Sequence, residues 1–233
     1  MSGFLAACVY LATAVFVFGL GWRIAIFLRA PARLPIAVTP APQTRLGVIW
    51  RLAKEVTVFA SLFESNKWTW LFGWVFHASL ALVLLRHLRY FLEPVPVWVL
   101  WLQPFGRYAG FAMFFALLGL WGRRLLVARV RFISTPSDHL MLLLLGFIAF
   151  SGLMMSFILH TDIIAVKQFA LGLLRFDWPA PPGGPLVAHL LAVCLLLAVF
   201  PLSKLLHVPG VFFSPSRALV DNGRRSATRG EGA

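Results

Sequence analysis

Four of the six histidines fall in two apolar stretches. Trp68 to Leu92 (WTWLFGWVFHASLALVLLRHLRYFL) carries His77 and His87. Gly183 to His207 (GGPLVAHLLAVCLLLAVFPLSKLLH) carries His189 and His207. A polar ring inside hydrocarbon is expensive and points to function. A neutral imidazole nitrogen is an axial ligand of haem iron, so four imidazoles suffice for two six-coordinate haem b groups. No CxxCH occurs, which excludes covalent c-type haem. Cys8 and Cys194 both lie inside apolar segments and read as packing residues. A haem-free transporter or assembly factor, its histidines lining a polar path, is the reading of another class. It gives no reason for the two-by-two arrangement.

Helices must position these rings, and the composition says in what medium. Of 233 residues, 60% are hydrophobic and only 12% charged, too few to cover a water-facing surface. The formal net charge of +13 would suggest nucleic acid in a water-soluble chain. Here the basic residues flank apolar spans, where they set orientation. A bilayer core needs about 20 apolar residues as helix, and five segments qualify: 4–27, 69–92, 105–126, 138–160 and 184–207. The expected fold is thus an all-α integral membrane protein with five transmembrane helices, residues 1–233 forming a single membrane domain. The first segment lacks a basic n-region and an A-x-A-like cleavage site before Arg23, so it reads as a retained span. No carboxylate, serine and histidine pattern supports hydrolysis.

Sixteen of the 21 basic residues belong to one side. They are Arg23, Arg29, Arg33, Arg45, Arg51, Lys54 and Lys67 after span one, Arg123, Arg124, Arg129 and Arg131 after span three, and Lys204, Arg217, Arg224, Arg225 and Arg229 at the end. Arg86, Arg89, Arg107, Lys167 and Arg175 belong to the other. The positive-inside rule then puts the N-terminus outside and the C-terminus in the cytoplasm. Span two runs outward and span five inward, so depth pairs His77 with His207 near the cytoplasm and His87 with His189 near the outside. As continuous helices, His77 and His87 would be about 15 Å apart and diverge by about 80°. His189 and His207 would be about 27 Å apart on one face. One haem near each membrane face makes an electron path across the bilayer.

Arg86 and Arg89 flank His87, and Lys204 precedes His207 by three residues. They suit haem propionates or headgroup snorkelling. His139 and His160 mark the two ends of span four and read as interfacial, with His160 a candidate proton acceptor near the outer haem. Residues 45–66 form an amphipathic cytoplasmic segment with Val48, Ile49, Leu52, Val56 and Phe59 at helical spacing. It suits the leaflet surface or a soluble partner subunit. The outer stretch EPVPVWVLWLQPFGRY reads as a loop with Trp98 and Trp101 at the headgroups. The piece between spans four and five is too short to cross.

Five spans, histidines ten apart on span two and eighteen apart on span five resemble the gamma subunit of respiratory nitrate reductase. That family is a dihaem cytochrome b that exchanges electrons between quinone and a cytoplasmic iron–sulfur partner. FPLSKLLH is similar to its end of span five. Within this superfamily SLFESNKWTWLFGWVFH, LLRHLRYFLEPVP and HVPGVFFSPSRALVDN look closer to the M subunit of the sulfite-reductase-associated membrane complex (DsrM). That resemblance implies a quinone-reactive oxidoreductase subunit that acts only within a respiratory complex of the bacterial or archaeal cytoplasmic membrane. It implies menaquinone as substrate and a heterodisulfide-reductase-like iron–sulfur partner (DsrK-like). It also implies further membrane and periplasmic subunits and a small DsrC-type sulfur carrier as client. The nitrate reductase gamma subunit proper is the same-class alternative. In that family the quinone site lies near the outer haem. Arg107, twenty residues after His87, stands where the family has a quinone-contacting lysine, which makes Arg107 and His160 the candidate quinone contacts.

Overall fold

The computed structural model describes residues 2–30, 41–214 and 218–221. Arg33, Arg217, Arg224, Arg225, Arg229 and most of the Pro-rich stretch after span one lie outside the described residues, as does part of SPSRALVDN. Every regular element among the described residues is helical: α1 Ser2–Arg29, α2 Arg45–Val58, α3 Ala60–Ser65, α4 Lys67–His87, α5 Val97–Leu126, α6 Ala128–Phe132, α7 Pro136–Phe157, α8 Ile163–Leu174, α9 Gly184–Val199 and α10 His207–Phe213. Five helical segments are long and apolar enough to cross a membrane, Gly3–Arg29, Lys67–Tyr90, Val97–Leu126, Pro136–Phe157 and Gly184–Leu202. Their outward faces are apolar too: Phe18 is 77% exposed and Leu140 65%. Apolar surface on all sides of a helix calls for lipid, not water.

The chain divides into two compact units, residues 1–13 with 66–198 and residues 14–65 with 199–233. In the first, α4 and α5 form an antiparallel hairpin against which α7 packs. Phe76, Met113, Ala116, Leu117 and Ala149 make its core. Glycine permits the close approach. A Cβ on Gly106 would fall 2.7 Å from Arg86 Cβ and 3.0 Å from the Leu82 carbonyl oxygen, and one on Gly119 would fall 2.5 Å from the Phe72 ring. Asn66 starts α4 by accepting from the Thr69 amide. Helix α8, too short to cross, is capped by Asp162 and buries Phe169 against Leu5 and Leu186.

Helix α7 begins with a capping box. The Thr135 amide donates to Asp138 Oδ2 at 3.0 Å, and Arg124 Nη1 lies 3.6 Å from the same oxygen. Asp138 is buried. Asp138→Ala is expected to destabilise the hairpin end by about 1–2 kcal/mol. A lowered thermal midpoint in detergent would show it, whereas an unchanged midpoint would deny the cap its weight.

Three expectations change. The third span starts at Val97, not near residue 105, and most of the expected outer loop is helix. Pro94 and Pro96 sit outside it, Pro96 serving as extended N-cap. Pro104 is carried within the helix, where it forgoes one backbone hydrogen bond. The fifth span is not one helix to His207. It breaks after Val199 into short 3-10 turns, Phe200–Leu202 and Lys204–Leu206, with Ser203 extended and capping the Leu205 amide. Pro201 lacks the amide that would continue the α-helix. The expected common facing of His189 and His207 and their 27 Å rise therefore lapse. The amphipathic segment 45–66 is two helices, broken at Phe59 in the left-handed region (φ 51). Leu46, Ile49 and Trp50 stand exposed on α2, while Val48 is buried.

Candidate functional site

His77, His87, His189 and His207 each have Nδ1 beside an oxygen. On α4, His77 Nδ1 lies 2.7 Å from the Gly73 carbonyl oxygen, and His87 Nδ1 lies 2.6 Å from that of Val83. Both partners are four residues back, where a helical side chain leans. Helix α4 is continuous over both histidines, so their divergence of about 80° stands. His207, at the start of α10, reaches the Lys204 carbonyl oxygen at 3.0 Å. A carbonyl oxygen only accepts, so Nδ1 donates and the ring's lone pair lies on Nε2.

His189 differs in its partner. Its Nδ1 is 2.8 Å from Ser151 Oγ on α7. Ser151 Oγ also lies 3.1 Å from the Ile148 carbonyl oxygen, to which its hydroxyl can donate. A hydroxyl both donates and accepts, so this contact is compatible with either neutral tautomer of His189. His87 and His189 belong to the same compact unit.

His139 has the opposite tautomer. The Trp121 indole N–H, a donor only, points to His139 Nδ1 at 3.1 Å. The proton of this ring is on Nε2, and its role is to join α5 to α7. His160 is exposed at the end of α7, in the left-handed region (φ 46), with Nδ1 3.0 Å from the Ile158 carbonyl oxygen.

Around His87 the charges are organised. Arg89 Nη1 donates to Gln103 Oε1 at 2.9 Å, and Gln103 Nε2 donates to the Val99 carbonyl oxygen at 3.1 Å. Arg86 Nε is buried with no hydrogen-bond partner among the described residues. An orphaned guanidinium N–H in an apolar helix is costly, and an anionic group would satisfy it. Lys204 opens the second 3-10 turn and is exposed. Arg107, also exposed, donates to the Ser156 carbonyl oxygen at 3.2 Å and lies over the Phe157 ring at 4.6 Å. It caps the last turn of α7, which gives it a structural task whatever else it touches.

This donor chemistry fits haem b. Among the described residues no three His, Cys, Asp or Glu side chains converge, but haem asks the protein only for axial ligands. Fixing Nδ1–H on an acceptor is the usual way a protein aims Nε2 at a metal. Sequence reasoning found the histidines but missed Ser151 and Gln103. A serine in mid-span and a glutamine beside Pro104 were the available signals, since polar groups there need partners.

The five apolar spans define a multi-pass membrane protein. No family model matches the chain. It is 33% identical to the Hdr-like menaquinol oxidoreductase cytochrome b-like subunit of Archaeoglobus profundus, over 93% of this chain and 78% of that protein. It is 34% identical to the protein of the same name from Archaeoglobus fulgidus, over 92% and 79%. The chain belongs to this family of cytochrome b-like membrane subunits.

Proposed function

We propose that this chain is the dihaem cytochrome b subunit of a menaquinol oxidoreductase. It moves electrons between menaquinone and a cytoplasmic heterodisulfide-reductase-like iron–sulfur subunit (DsrK-like) in dissimilatory sulfur metabolism. The carrying observation is the contrast among the histidines. His77, His87 and His207 set Nδ1 on a carbonyl oxygen, which leaves the lone pair on Nε2, and His189 sets Nδ1 on the Ser151 hydroxyl, whereas His139 carries its proton on Nε2. The names of the two Archaeoglobus relatives support the menaquinol and cytochrome b parts of the reading. The sulfur-linked partner is supported by the resemblance to the M subunit.

His87 and His189 are the ligands of one haem. His77 and His207 are the ligands of the other, a pairing that rests on their depth in the sequence. Bound there, haem b supplies a one-electron carrier at each membrane face. The apolar helices half-bury His77, His87 and His189, while His207 is exposed, and Arg86 and Arg89 offer charge to propionates beside His87. Quinol oxidation yields two electrons and two protons. With the N-terminus outside, His160 and Arg107 lie on the outer side, where protons would leave while electrons pass inward.

The test is reduction by quinol. A reduced menaquinone analogue added to membranes holding the complex is expected to bleach the oxidised haem spectrum into the reduced b-type one. A complex that dithionite reduces and menaquinol does not would contradict the proposal. Arg86→Gln is expected to lower the midpoint potential of the haem tied to His87 by about 30–60 mV, up to a tenfold change in a one-electron equilibrium. The sign follows because a nearby cation favours the reduced, more negative state. Potentiometric titration reads it, and an unchanged or raised potential would remove Arg86 from the haem's surroundings.

A further inference from the structure

We infer that Ser151 is the positioning residue of His189, so that α7, which carries none of the four proposed ligands, sets the electronic character of the outer haem. The inference rests on the proposed ligation by His189 and deepens it. Three of the four imidazoles lean on carbonyl oxygens of their own chain segment, three or four residues back. His189 lies 2.8 Å from a side chain of another helix. The ring also lies close to the α7 backbone: a Cβ built on Gly152 would be 3.6 Å from His189 Cε1. Serine and glycine in sequence thus give the ring an acceptor and a floor. With Nε2 on the iron, the ring's proton is on Nδ1, and Ser151 Oγ accepts it while its own hydroxyl donates to the Ile148 carbonyl oxygen.

The chemistry follows from that bond. An acceptor on Nδ1–H raises the basicity of Nε2 and fixes its direction. A more basic axial ligand favours the oxidised iron, so the bond holds the potential of that haem down. Ser151→Ala removes the acceptor, strands an N–H in an apolar interior and frees the ring to change tautomer. Ser151→Thr keeps the hydroxyl.

The experiment uses the intact complex in detergent. The outer haem is first identified as the one missing in His189→Ala. Its midpoint potential and the rate of its transfer to excess apomyoglobin are then measured in Ser151→Ala, Ser151→Thr and Ser79→Ala. Ser79 is a buried mid-span serine whose hydroxyl bonds only to its own helix, at the Val75 and Phe76 carbonyl oxygens, and so serves as control. The expected result is an upward shift of the outer haem's potential alone in Ser151→Ala. Haem release should be about tenfold faster or more, with both readings near the native ones in Ser151→Thr and Ser79→Ala. An unchanged potential in Ser151→Ala, or equal shifts in Ser79→Ala, overturns the role of Ser151. Should Ser151→Ala not assemble, Ser151→Cys, a poorer acceptor of similar size, is read in the same way. A His189→Ala complex that keeps all its haem instead overturns ligation by His189, a failure visible before any Ser151 variant is examined.

Discussion

His87→Ala and His189→Ala are each expected to remove the same haem, leaving one b-type haem per chain of an original two. Loss of either axial imidazole takes away half of the protein's direct hold on the iron. The remaining ring supplies one nitrogen and fills one axial position only. His139→Ala is the matched comparison. Its ring also sits in an apolar helix pair, but its Nδ1 receives the Trp121 N–H, so both haems should remain. A pyridine haemochrome count on the three variants reads the outcome. Equal loss in His139→Ala would mean that haem retention reports helix packing and not ligation.

The second large effect is steric. Gly106→Val is expected to destabilise the α4–α5 hairpin by about 1–3 kcal/mol and to lower haem content with it. Even the first added carbon would lie 2.7 Å from Arg86 Cβ and 3.0 Å from the Leu82 carbonyl oxygen. Arg86 can rotate, but the carbonyl belongs to helix backbone and moves only with α4. Pushing α4 away at this level disturbs His87, one residue beyond Arg86. Gly122→Val serves as the comparison, since nothing lies within 4 Å of a Cβ there. Thermal unfolding in detergent, followed by haem absorbance and by helical circular dichroism, separates the two. Matching midpoints for both variants would show that the hairpin yields at Gly106 without cost.

The five membrane-crossing helices were legible because hydrocarbon demands long apolar segments. The histidines were legible for the same reason, as polar rings out of place. What the sequence concealed lay at prolines and at contacts between helices. The run EPVPVWVLWLQP looks like a loop by composition, yet its first two prolines precede the helix and Pro104 is tolerated inside it. Pro201 acts the other way and ends the regular α-helix, with Ser203 in extended conformation completing the break. The same residue type continues one helix and stops another, so the outcome depends on what the freed carbonyls meet in three dimensions. Ser151 was invisible for a related reason. Its partner is 38 positions away, and no periodicity within α7 marks which serine will face a histidine.

The depth argument for pairing the histidines used unbroken helices. It keeps its force on α4, where helix runs from Lys67 to His87. It loses its geometric part beyond Val199, where the turns tighten. His207 remains a proposed ligand through its chemistry, an Nδ1 held by the Lys204 carbonyl oxygen, and no longer through a shared helix face with His189.

The most direct test of the central claim is a haem count on the native chain, purified with its partner subunits. A reduced-minus-oxidised spectrum and a pyridine haemochrome assay give the type and number together. Two b-type haems per chain are the predicted result. A preparation that retains every partner subunit and shows no b-type haem would contradict the account and leave the four histidines to a path for some other polar cargo.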